Sequence, residues 1–286
     1  MICLVCHQEG GISACSCPSR LHVGCLAKLI ENNYGRCQNC FAEYKAEAVL
    51  AAARHMCKEE PTVERFLVLC MKTREAGLVN EASRLLNAFP SENLSGEPAR
   101  LLHSIEYGAC LVEQGSYSRA LHLLRDASRD VLGLHFQDRV SAYIRARCFY
   151  AQALIGVSSF SHAEGLLVDL LRLTPKMTAK EVIMVMRCIG CSFRAQKKRD
   201  LYRKTVSTIA YIVNEDKDPV AKAAIQAELG IAEHDCGLDS SVRIRAALIS
   251  LRKRGAAHVI KSAVECLGKQ VMPSRRLRRK TRVECL

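Results

Sequence analysis

No apolar run in this chain of 286 residues approaches eighteen, which excludes a membrane-spanning helix. Residues 61–270 carry almost no alternating, β-branched strand signal, which leaves helix as the only regular structure for most of the chain. The chain also lacks a phosphate-cradling glycine loop, G-x-S-x-G, H-E-x-x-H and any convincing acid/base carboxylate pair. Any enzymatic role must therefore be indirect. Tryptophan is absent altogether.

Cysteine, by contrast, is plentiful. Of sixteen, seven crowd into the first forty residues and, with His22, fall in the order Cys3, Cys6, Cys15, Cys17, His22, Cys25, Cys37, Cys40. C-x2-C, H-x2-C and C-x2-C, with the tighter Cys15-x-Cys17, each let one turn bring two soft donors to one metal. Four pairs make two tetrahedral sites, and nothing else in this stretch can build a core. Neighbouring pairs could share an ion in sequence order. We take the interleaved alternative: Cys3, Cys6, His22 and Cys25 on a first Zn2+, Cys15, Cys17, Cys37 and Cys40 on a second. A ligand at position 3 leaves no room for a cleaved presequence, so the expectation is a soluble cytoplasmic or nuclear protein. The nine other cysteines sit mostly among Ala, Leu and Ile on helical faces and read as small buried hydrophobes.

HVGCLAKLIENNYGRCQNC at 22–40, with Cys15-x-Cys17, resembles the RING-CH finger of ubiquitin ligases. CPSRLHVGCL at 17–26 and the Gly10-Gly11 pair are similar instead to PHD fingers. Both families place a Trp in this region, where Leu29 and Gly35 stand here. The RING-CH resemblance implies a shallow apolar groove for a ubiquitin-conjugating enzyme, formed by Leu4, Val5, Leu26, Leu29 and Phe41. Phe41 occupies the position where RING fingers carry a basic residue. The alternative for these apolar residues is packing on the domain behind.

The finger spans residues 1–42. Residues 43–60, strong helix formers without a breaker before Pro61, predict a helix that ties the finger to the rest of the chain. Residues 61–270 repeat a two-helix pattern. Its cleanest copy has Gly108, Leu111, Gly115, Tyr117, Ala120, Leu124 and Ala127. An earlier copy runs through Cys70, Gly77, Val79, Ala82, Leu86 and Phe89; a later one runs through Ala151, Leu154, Phe160, Ala163, Leu167 and Leu170. Weaker copies centre on Gly190 and Gly230. The offsets resemble tetratricopeptide repeats. The small positions 70, 108, 151, 190 and 230 recur with a period near forty, longer than the thirty-four of that family. A small residue there lets paired helices approach closely. The expected fold is thus mainly α: a small cross-brace zinc finger, then an α-solenoid of about five helical hairpins capped by an amphipathic segment at 256–270.

Formal charge is +13, or about +10 once seven thiolates and two zinc ions are counted. A basic surface remains that seeks acidic partners. Basic clusters recur at Arg194 to Lys204 and Arg243 to Arg254, and the tail at 271–286 adds Arg275, Arg276, Arg278, Arg279, Lys280 and Arg282. The tail reads as an electrostatic arm for an acidic protein or nucleic acid. Three functions compete: a ubiquitin ligase whose repeats bind the substrate, a non-catalytic zinc-stabilised scaffold subunit of a larger assembly, and a PHD-like histone-tail reader.

Overall fold

The computed structural model describes residues 2–253 apart from 16, 19, 32–36, 38, 41–43, 90–93, 95, 134–138, 175–176, 215–218 and 239. The expected cap at 256–270 and the basic tail lie outside the described residues, as does Phe41. Twelve helices are described: α1 (Val23–Glu31) in the finger, then α2 (Ala46–Glu59), then α3 (Val63–Glu75), α4 (Val79–Ala88), α5 (Glu97–Glu113), α6 (Tyr117–Gly133), α7 (Arg139–Gly156), α8 (Phe160–Leu171), α9 (Ala179–Ala195), α10 (Arg199–Asn214), α11 (Pro219–Asp235) and α12 (Ser241–Lys253). The last ten form five helical hairpins, the number expected from the sequence. Among the described residues there is no strand, only isolated bridges in the finger, and no helix is long and apolar enough to cross a membrane.

Local chemistry sets the helix limits. Thr62 caps α3 by accepting from the Arg65 amide, and Thr178 with Glu181 forms a reciprocal capping box on α9. Every hairpin turn is built alike. Gly77, Gly115, Ser158, Lys197 and Gly237 are left-handed, and each stands seven residues beyond its hairpin's small position. In each turn that residue's N–H bonds back three residues and the next N–H bonds back five, for example Gly115 to Val112 and Ser116 to Leu111. This double bond closes the last turn of the first helix and lets the chain reverse in about three residues.

The small positions then bring the two helices together. A Cβ on Gly108 would lie 2.5 Å from Leu124 of the paired helix, and one on Gly230 would lie 2.6 Å from Ile244. First helices stack on one another, α3 on α5, α5 on α7 and α7 on α9, while α11 packs on α10. The largest buried cluster spans α5 to α9 and includes Ile105, Leu124, Val131, Ile144 and Leu167. The finger is joined to this stack through α2, which packs on α1 on one side and on α3 on the other.

Candidate metal centres and the finger surface

The chain folds the eight expected ligands into two groups. Ligand atoms of Cys3, Cys6, His22 and Cys25 lie within 4.8 Å of one another, as do those of Cys15, Cys17, Cys37 and Cys40. The grouping is the interleaved one.

In the first group, the Cys3–Cys6 knuckle is closed by the Cys3 amide to Gln8 and the His7 amide to Cys3. His22 and Cys25 stand one turn apart at the start of α1, where the Leu26 amide bonds back to the His22 carbonyl. The imidazole is oriented by its far side. Its Nε2 is 3.1 Å from the Glu9 carbonyl, which can only accept, so Nε2 carries the proton. Nδ1, 3.2 Å from the Cys6 sulfur, is left with its lone pair facing the thiols. Glu9 thus holds the ligand tautomer through its backbone, a role that side-chain identity cannot signal. Gly10 and Gly11 are both at positive φ, and a Cβ on Gly11 would lie 2.9 Å from the Leu21 backbone. Only glycine lets that loop approach.

The donor set fits zinc: three thiols and an imidazole in one group and four thiols in the other, each enough for one tetrahedral ion. Ligands about 2.3 Å from one tetrahedral ion lie about 3.8 Å apart. Cys17 and Cys37 sulfurs are 3.8 Å apart, and Cys15 and Cys17 are closer at 3.0 Å. Without a cation, such crowding opposes ionisation. Burial and the Cys6 and Cys3 side chains push the Cys25 thiol up to about 11. Burial, then Cys17 and Cys37, raises Cys15. At Cys3, burial is outweighed by amides from Cys6, His22 and Val5, which hold its thiol down to about 6. Bound Zn2+ would supply the positive charge that lets all seven be thiolates together.

The apolar residues of the finger divide. Leu4 and Val5 are exposed on the first knuckle, Leu4 at 44%. Leu26, expected in an exposed groove, is 0% exposed. It sits in a cluster with Leu21, Ala27, Tyr44, Ala48, Ala52 and Met56, against which half-buried Leu29 also packs. Leu26 therefore cannot line a docking groove; the helix of the finger turns that side toward α2. Burying it contributes roughly 1.5–3 kcal/mol. The Lys45 amide, 2.7 Å from the Ala14 carbonyl, fastens the start of α2 beside Cys15. Tyr44, whose phenol is pushed up to about 12 by burial and the neighbouring thiols, fills the space between. A lone Tyr before a helix carries no sequence signal of that contact. Of the cysteines in α9, Cys188 is buried beside Cys148, as a small core residue would be, and Cys191 is exposed.

No family model matches the chain, and no curated protein does. Among solved structures it is similar to the crystal structure of BtubC (BKLC) from P. vanneervenii, with a TM-score of 0.47 and 18% identity, over 74% of this chain and 89% of that one.

Proposed function

We propose that the chain is a protein-interaction scaffold, in which two zinc ions fold a finger whose task is to close the end of a stack of helical hairpins. The observation that carries this reading is the complete burial of Leu26 against α2. A finger that spends Leu26 on its own domain lacks one of the five residues expected to line a groove for a conjugating enzyme. The hairpins, with their resemblance to tetratricopeptide repeats, then supply the binding surfaces.

A second reading, a ubiquitin ligase, is favoured by one feature: Ile2, Leu4 and Val5 leave an apolar knuckle exposed beside the first metal group. Such a ligase would do no covalent chemistry itself and would only orient the charged enzyme. Discharge of ubiquitin from a panel of charged conjugating enzymes by the full chain separates the two. The scaffold predicts no acceleration with any of them. Acceleration that disappears in Val5→Ala at unchanged zinc content would replace it with the ligase.

A further inference from the structure

The second helices of the hairpins do not cover the first ones equally. Tyr107 and Tyr150 stand at the same place in successive hairpins, each just before the small position at 108 or 151. Tyr150 is 7% exposed and meets His162 edge-on, with ring centroids 5.9 Å apart. Tyr107 is only half-buried and lines a cavity of about 510 Å3. The preceding second helix sets the difference. α6 runs for 17 residues, but α4 stops after 10, and Leu86 and Asn87 of its last turn form one wall of the opening. α5 and α6 supply the others.

The polar groups of this cavity still have bonds to give. His103, 6% exposed, donates from Nε2 to the Leu86 carbonyl at 3.1 Å. Its Nδ1 therefore keeps a lone pair, and no described residue donates to it. The Tyr107 hydroxyl accepts from an Arg119 N–H at 3.4 Å and keeps its own proton. Leu86, Leu111 and Leu123 make much of the lining apolar, and His122 adds a third ring. Asp126, an exposed member of the lining, is paired with Arg125 at 3.1 Å. The two histidines and this carboxylate do not gather around a point as metal ligands do. Among the described residues, groups of three or more ligand atoms within 4.8 Å of one another occur only in the finger.

We propose that this cavity binds the base of a nucleotide, with the phosphate held at Arg119. An N–H of the base would donate to His103 Nδ1, a ring nitrogen or carbonyl would accept from Tyr107, and the leucines and rings would cover its flat faces. The phosphate approaches a chain whose formal charge of +13 draws in anions. Other occupants fit less well. An alkyl ligand would leave Nδ1 and the phenol without partners, and a carboxylate has no proton for Nδ1 at neutral pH. A single peptide side chain would leave much of the volume to water, whereas small-molecule sites span about 300–1,000 Å3. Nucleotide binding goes beyond the interaction-scaffold reading and does not depend on it.

A free nucleotide and a single strand of nucleic acid offer the same base, so the test probes both on the full chain. The four ribonucleoside monophosphates are measured by equilibrium dialysis, and short single-stranded homopolymers of each base by fluorescence anisotropy. One base should be preferred, among the monophosphates if the source is a free nucleotide and only among the oligonucleotides if it is a strand. Tyr107→Phe should weaken the preferred probe severalfold and Arg119→Gln about tenfold, with melting temperatures unchanged. Asn87→Trp, at an exposed position on the wall, should close the opening and abolish the preference at the parent's melting temperature. Attachment by charge alone would bind all bases alike, weaken with salt and ignore Tyr107→Phe, and that result overturns the proposal. It is equally overturned if no probe binds, or if Asn87→Trp binds the preferred probe like the parent.

Discussion

Arg74 and Glu106 meet across the first two hairpins, Nε to Oε2 at 3.1 Å, with both side chains buried. Glu106 also pairs with Arg145 of the third hairpin, and Arg74 donates to Glu113 while its guanidinium lies 5.1 Å from the Phe149 ring. One carboxylate therefore joins three successive hairpins. Glu106→Leu leaves two arginines facing a buried site, and breaking a pair of this kind costs about 3–5 kcal/mol. Urea unfolding should show that loss, with Arg74→Met added to Glu106→Leu recovering part of it. An unchanged midpoint in the single variant would mean that the charges are solvated rather than buried.

Metal analysis of the intact chain should give two zinc ions. Structural sites of this type contribute about 10–16 kcal/mol near neutral pH, more than a forty-residue core supplies. Cys37→Ser should leave one ion, held by Cys3, Cys6, His22 and Cys25. Because Cys25, pushed up to about 11, holds its proton in the metal-free finger at neutral pH, loading zinc must expel protons. Affinity should then fall as pH falls, and a weakly buffered titration should acidify on zinc addition. One ion in the parent chain would refute the double site.

Leu26→Ala should lower stability by about 2–5 kcal/mol, the range for a fully buried leucine. Val5→Ala, at an exposed position, should stay within about 0.5 kcal/mol. Thermal melts that rank the two in the opposite order would contradict the packing of the finger on α2.

Two helix glycines should respond with opposite signs. A Cβ on Gly108 collides with Leu124, so Gly108→Ala should cost about 1–3 kcal/mol. Gly165 in α8 has nothing within 4 Å of its Cβ position, and Gly165→Ala should stabilise by about 0.5–1 kcal/mol. Equal effects would show that Gly108 does not stand where helices touch.

The turn positions make a similar pair. Lys197→Gly should raise stability by about 1 kcal/mol, and Gly115→Ala should lower it by a comparable amount, because both residues are left-handed. Differential scanning calorimetry reads both, and a Lys197→Gly variant that melts lower than the parent would place the turn elsewhere.

Much of this was legible in the linear chain because the interactions are short. A knuckle such as Cys3–Cys6 closes within four residues, and a hairpin turn needs only its small residue and, seven positions later, one that tolerates positive φ. The eight ligands and the five hairpins were readable for that reason. Lys197 shows the limit even there, since a lysine gives no hint of a left-handed backbone.

By itself, then, the sequence determined the helical class, the number of hairpins and the two sets of soft donors, all of them set by local spacing. Tertiary structure alone decided that Leu26 is buried against α2 rather than exposed to solvent, and that Glu106 serves Arg74 and Arg145 together. Those outcomes depend on which helix lands beside which, across separations much longer than a helical turn. An amphipathic pattern marks a face as apolar or charged, but only the packed neighbours decide whether that face is spent on the fold or left for a partner.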